Sequence, residues 1–507
     1  MELAVTENTA YNTLEALFNK ISNLNHLANM AHWDAATMMP PGGSEARGQA
    51  LAEVSALVNE LVSDNLTGEL IEQAEQGKDL LSDWQQANLR EMRRQWFNAS
   101  CVTSELVKAQ AVASSRCENA WRKLRAENNW QDFQPLLTEV VNLVREQAAM
   151  RSEASGLSAY DSLLELYEPG QRSNNIDRIF NQLKAFLPGF VENTVQRQAG
   201  ETLIHPAGGF PERKQKALAL ELMEIVGFDF RHGRLDKSHH PFCGGVPDDV
   251  RLTTRYNEED FTESLMGVLH ETGHAKYEQG LPRDWRTQPV GRARGMGIHE
   301  SQSLFQEMQV CRSLPFLRFA APIMRKHLHN DATPAGCWDA ENLFRLNNRV
   351  KPDYIRVNAD EATYPLHVIL RYEMEKDLIE GKLQVADIPE VWDQKMQEYL
   401  GLSTRDNYKD GCMQDIHWTH GMMGYFPTYT LGAMNAAQLY QAADKAIPGL
   451  AEMIGRGDFS ALNEWQSKAI WSWGSYHGID ELMRQATGET LNPEHFIRHL
   501  QTRFAAD

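Results

Sequence analysis

His270, Glu271 and His274 stand together as H-E-x-x-H within residues 261–280 (FTESLMGVLHETGHAKYEQG). Histidines four residues apart on a helix project from one side and can share a metal ion, and Glu271 beside them can reach water held there. A catalytic zinc ion takes three protein ligands and keeps one position open, so a third donor is required. Glu300, in His299-Glu300-Ser301-Gln302-Ser303, is the candidate, 300 − 274 = 26 positions beyond the second histidine. Residues 301–313 read as helical, which suits a third ligand on a following helix. The chemistry is metal-assisted hydrolysis with Glu271 as general base. A satisfied core pair or a structural metal clip also fits two histidines at this spacing; the downstream glutamate argues for catalysis.

Other residues suit the handling of a peptide. Asp249, Arg251 and Thr253 alternate along VRLTTRY (250–256) and its preceding residue, so a strand presents them on one face. Such a strand, leading into the metal helix, is expected either to pair with an extended substrate by edge addition or to show an ordinary solvated face. Arg356 offers a guanidinium fork suited to a terminal carboxylate. Its spacing from Asp360 equally suits a helical ion pair worth only about 0.3–0.5 kcal/mol. Gln414, Asp415, His417 and Trp418 form a dense polar cluster, followed by the glycine-rich run GMMGYFPTYTLG with Tyr425 and Tyr429. A flexible loop there can bring a phenol to an oxyanion, or the aromatics can fill a core.

The elements that must position these groups are mainly helical. Leu14, Leu17, Phe18, Ile21, Leu24 and Leu27 recur at three- and four-residue steps, and Met39-Pro40-Pro41-Gly42-Gly43 ends that unit. Amphipathic runs follow at 46–64, 79–97, 104–126, 132–150, 176–199 and 212–227. The metal helix has an acidic start from Asn257 to Asp260 and a stop at Gly280. Asn492-Pro493-Glu494 opens a late helix. The one strand candidate is 250–256, entered by a turn-forming loop from His239 to Asp249. We expect a mainly α chain, one helical body over 1–507 with two lobes around a groove and a small β-element beside the metal helix. The motifs concentrate in 240–430.

With 50 basic and 69 acidic residues the net charge is −19, which argues against nucleic-acid binding, since that needs basic surface. The six cysteines are scattered without a C-x-x-C pair, so reduced thiols are expected. The N-terminal residues lack a basic stretch followed by an apolar one, and no run of 18 apolar residues occurs. A cytoplasmic protein with no membrane span is the expectation.

Taken together, the chain resembles the carboxypeptidase Taq family of thermostable metallocarboxypeptidases. His240-Pro241-Phe242 matches that family's HPF; Asp249, Arg251 and Thr253 match D-x-R-x-T; and His299 to Gln302 match HESQ. Ile355, Arg356, Ala359 and Asp360 match I-R-x-x-A-D, while Gly411, Gln414, Asp415, His417 and Trp418 match G-x-x-Q-D-x-H-W. All lie in family order over 240–418, and Trp33-Asp34 with the Pro-Gly-Gly turn is similar to its N-terminal part.

The resemblance implies a neurolysin-like helical fold with a deep groove and a cytoplasmic homodimer. It implies stepwise release of C-terminal amino acids with broad specificity and poor action on proline. Zinc is the implied metal, one ion per chain, with cobalt able to substitute. On this reading His270, His274 and Glu300 hold the metal, Glu271 is the base, and Arg356, with His417, holds the substrate's carboxylate. Tyr425 steadies the oxyanion, and His240, Asp249, Arg251, Thr253, Gln414 and Asp415 line the substrate site. An oligopeptidase cutting internal bonds is the rival, and a non-catalytic metal scaffold is a second; no fourth protein ligand is evident for the latter.

Overall fold

A computed structural model describes residues 8–505 apart from residue 240. The N-terminal quarter consists of α1 (Thr9–Thr37), α2 (Ser44–Ser63), α3 (Asn65–Gln76), α4 (Asp83–Ser100) and α5 (Ser104–Ala126). Then come α6 (Trp130–Ser155), α7 (Ala159–Leu164), α8 (Ser173–Gln198) and α9 (Glu212–Val226). Three short strands follow: β1 (Gly233–Lys237), β2 (Phe242–Val246) and β3 (Asp249–Thr254). The remainder is again helical: α10 (Phe261–Gly280), α11 (Met296–Leu304), α12 (Leu314–Leu328), α13 (Ala340–Asn347), α14 (Tyr364–Ile379) and α15 (Ile388–Leu400). It ends with α16 (Pro427–Ala446), α17 (Leu450–Gly455), α18 (Ser460–Ala469), α19 (Ile479–Thr487) and α20 (Glu494–Arg503).

Local chemistry explains these boundaries. The Asn8 side chain accepts a hydrogen bond from the backbone N–H of Tyr11 and so caps α1, whose Tyr11, Leu14, Phe18 and Ile21 are buried at helical spacing. Proline and paired glycine end it at Thr37. Ser82 and Gln85 form a reciprocal capping box at the start of α4.

The sheet corrects two expectations. Its order is β1-β3-β2, with β1 parallel and β2 antiparallel to β3, in a register that pairs Leu235 and Cys243 with Leu252. The segment expected to be only a turn contains β2. In addition, β3 is the central strand, with both edges taken, so it has no ladder positions left for a substrate. Glycine-bearing strands of five residues (GRLDK and FCGGV) carry too little alternation to announce themselves.

The apolar core falls into clusters. One gathers Val141, Ile176, Leu183, Leu366, Leu370, Trp392 and Leu500 from α6, α8, α14, α15 and α20. A second gathers Leu222, Leu269, Phe305, Phe316, Leu462 and Leu482 from α9 to α19. Helix α16 serves both, giving Leu431 and Met434 to the first and Ala436 and Leu439 to the second. The sheet packs on α10 through Val250, Leu252, Val268 and Ala275. Among the described residues no helix is long and apolar enough to cross a membrane.

Candidate active site

Helix α10 is the platform. Asp260 caps it by accepting from the N–H of Thr262, and the helix ends at Gly280, as the acidic start and the glycine suggested. Asn257 instead accepts from the N–H of Glu259, one turn earlier. Val268 and Ala275 fasten one side of α10 to the sheet, and α11 crosses another side at close range. A Cβ on Gly273 would lie 2.4 Å from the carbonyl oxygen of Gln302, so only glycine admits that approach.

Helix α11 begins at Met296, five residues before the expected span, and Glu300 lies inside it. The chain then widens into a π-helical segment, Phe305–Cys311. This widening puts Glu307 in reach of α10: its Oε2 is 3.0 Å from His270 Nδ1. Arg312 clamps the other Glu307 oxygen at 2.8 Å.

Glu300 Oε2 lies 3.4 Å from His274 Nε2 and 4.0 Å from His270 Nε2. Ligand atoms each about 2.0–2.1 Å from a tetrahedral zinc ion are about 3.3 Å from one another, so the three donors fit such an ion with little adjustment. One donor atom from each of the three residues falls within 4.8 Å of the others. Both Nδ1 atoms are already occupied, that of His270 by Glu307 and that of His274 by His299 at 2.6 Å. The two Nε2 atoms therefore face the open space, as a metal site requires.

Burial opposes charge on His270, but Glu307 and Glu300 outweigh it and hold that imidazole up at about 10, a positive charge that a metal ion in the same place would replace. His274 and Glu271 shift in the directions a metal site uses. Burial pulls the His274 imidazole down to about 4, which keeps it a neutral ligand. Burial pushes the Glu271 carboxyl up to about 7, the range in which a general base works best near neutrality. Burial opposes ionisation of Glu307 too, but Arg312 and His270 outweigh it and hold that carboxyl down to about 2.

These groups open on a cavity of about 740 Å³ whose walls include Glu271, Pro241, Phe242, Arg356, Tyr425 and Tyr429. Arg356 lies on a 3₁₀ turn, not an α-helix, so the i, i+4 pair with Asp360 does not form. Its Nε and Nη2 instead donate to Asp415 at 3.0 and 2.8 Å, and Nη1 donates to the Tyr364 hydroxyl at 2.7 Å. Asp415 is shared with Arg371, 2.6 Å away, and the two guanidinium groups hold its carboxyl well below the usual range despite burial. Burial pushes the Tyr425 phenol up to about 12, so it remains a proton donor.

Several residues expected at the substrate lie elsewhere. Asp249 and Arg251 form a bidentate pair with each other, and Arg251 stacks 4.6 Å over the Trp33 ring. Thr253 Oγ1 accepts from the N–H of Phe242, which it helps to hold. Gln414 accepts from the backbone N–H of Arg356 and donates to the carbonyls of Tyr354 and Asp410. His417 Nε2 is 3.2 Å from the Tyr429 hydroxyl. None of these, nor Asp415, is among the cavity walls; Thr253, Gln414, Asp415 and His417 instead hydrogen-bond residues that are. His240 lies outside the described residues. Nothing in the sequence pattern sets Glu307 apart beyond being an acid two helical turns after Glu300, and nothing announces the Tyr364 phenol on Arg356.

Comparison with known proteins gives a consistent picture. The family model described as carboxypeptidase Taq (M32) metallopeptidase matches residues 13–504. The thermostable carboxypeptidase 1 of Thermus thermophilus is 36% identical, with 99% of each chain covered. Carboxypeptidase 1 of Bacillus subtilis is 33% identical, covering 96% of this chain and 97% of its own. Among solved structures, metallocarboxypeptidase 1 of Trypanosoma cruzi superposes with a TM-score of 0.96 at 43% identity, over 99% of this chain and 100% of that one.

Proposed function

The chain belongs to the carboxypeptidase Taq (M32) metallopeptidase family and is a metallocarboxypeptidase; we propose that His270, His274 and Glu300 hold its ion and that Glu271 is its general base. The observation that carries this reading is the convergence of His270, His274 and Glu300 on one point of the groove wall, with Glu271 beside it. Zinc is the proposed ion, since two imidazoles and a carboxylate suit its tetrahedral preference, and cobalt is proposed as a substitute. When bound, the ion supplies Lewis acidity at the scissile carbonyl and makes water nucleophilic near neutral pH.

The chain's own residues do the rest. Glu271 takes the proton of the attacking water and delivers it to the leaving amine. Arg356, held in place by Asp415 and Tyr364, meets the substrate's free carboxylate and thereby selects the terminal peptide bond. Tyr425, protonated at working pH, donates to the developing oxyanion. Release proceeds one residue at a time with broad specificity and poor action on proline. A cytoplasmic homodimer is proposed with it.

The test uses one peptide with a free or an amidated C-terminus. The free form should be shortened residue by residue and the amide left intact. Equal cleavage of both at an internal bond would replace this reading with an oligopeptidase.

A further inference from the structure

Beyond the ligands, His274 is connected outward through a second imidazole. Its Nδ1 lies 2.6 Å from His299 Nδ1, and His299 Nε2 lies 2.8 Å from Glu278 Oε1. A carboxylate only accepts, so His299 must donate from Nε2. A neutral imidazole carries one N–H, so His299 Nδ1 is then a lone pair. That lone pair can be satisfied only if His274 carries its proton on Nδ1. His274 Nε2, the atom 3.4 Å from Glu300, is thereby left free to bind metal.

We infer that His299 and Glu278 are positioning residues that fix the metal-binding tautomer of His274, through a two-step relay in which Glu278 sets the direction of both hydrogen bonds. The inference rests on His274 being a ligand, as proposed above. The two histidines of the motif are thus oriented differently. His270 meets a carboxylate directly in Glu307, whereas His274 depends on one an imidazole further away. Glu278 is not among the walls of the substrate cavity. It lines a neighbouring cavity of about 500 Å³ with Asn25, Asn29 and Arg292, and His299 borders both. Metal retention is therefore governed in part by a residue that touches neither ion nor peptide.

Zinc titration of the metal-free protein against a chromophoric chelator tests this, with nitrogen-15 NMR of the histidines as a second readout. Glu278→Ala should weaken zinc about 10- to 100-fold, the usual effect of losing support behind a ligand. Glu278→Gln, whose amide oxygen can still accept from His299, should weaken it less, and Glu278→Asp should recover part of the alanine loss. His274→Ala should abolish stoichiometric binding. If His274→Ala binds zinc like the wild type, the ligand assignment fails and takes the relay with it. If His274→Ala loses zinc while Glu278→Ala binds it normally, the ligand set stands and the relay is overturned. In the metal-free wild type, His274 should be protonated at Nδ1. A proton at Nε2 overturns the relay even if every variant misfolds.

Discussion

Gly432 of α16 stands directly against Glu300 of α11: a Cβ on the glycine would lie 2.7 Å from both Cβ and Cγ of the glutamate. Helix α16 also joins the two large core clusters, so it cannot retreat without disturbing both. Gly432→Ala should therefore move Glu300 rather than α16. We expect zinc affinity to fall at least about tenfold, with an overpacking cost of about 1–3 kcal/mol in the metal-free protein. Alanine is the better helix former, so a loss cannot come from backbone propensity. Chelator competition and urea unfolding measure the two effects, and unchanged zinc affinity would show that Glu300 has room to shift.

Glu271 shares a helix with both histidines but is assigned proton transfer, so its removal should separate binding from chemistry. Glu271→Gln keeps the shape of the side chain and loses the base. Stoichiometric metal should remain while kcat falls about 10²- to 10⁴-fold. Metal analysis beside peptide hydrolysis decides it, and hydrolysis at the wild-type rate would remove the assignment.

What the sequence disclosed follows physical range. The H-E-x-x-H pair is local, and helical periodicity alone puts His270 and His274 on one side. Glu300 was reachable because a following helix is the simplest place for a third donor. The contacts that support them were not. Asp415 meets Arg356 across 59 positions, and Arg251 meets Trp33 across 218, contacts that no periodicity announces. Asp249, Arg251 and Thr253 share a face as the alternation predicts. That face is spent on Trp33, on its own ion pair and on Phe242, because tertiary packing decides which side of a strand meets substrate. Glu307 depends on the π-helical segment, whose extra residue per turn an ordinary helical reading does not anticipate.

Asp415 separates two roles that a single arginine substitution would confuse. It accepts from both Arg356 and Arg371, whose side chains are buried, and is itself nearly so, with 10% of its side chain exposed. Arg356→Ala leaves Asp415 paired with Arg371, so the fold should survive while KM rises for peptides with a free C-terminus. Asp415→Asn leaves two buried guanidinium groups without a counter-charge, and breaking a buried pair in this way costs about 3–5 kcal/mol. We therefore expect the asparagine variant to be the less stable and the alanine variant the more selective in its defect. Thermal unfolding and steady-state kinetics on both check this, and the reverse order of stability would contradict the shared role.

Glu168 ties stability to pH at the helix that carries Glu300. Its carboxyl accepts from the backbone N–H of Gly297 in the first turn of α11, and burial pushes it up to about 8 from an ordinary value of 4.5. Between those values the folded state holds a proton that the unfolded state has released. The contribution is thus fully present below about pH 4.5, declines as the pH rises, and is lost above about 8, amounting to a few kcal/mol at most. Glu168→Gln cannot ionise, so its stability relative to the wild type should improve from pH 5 to about pH 8 and level off by pH 9. Urea midpoints at four pH values measure the difference. A gap that stays constant across the range would mean that this carboxyl titrates alike in the folded and unfolded chain.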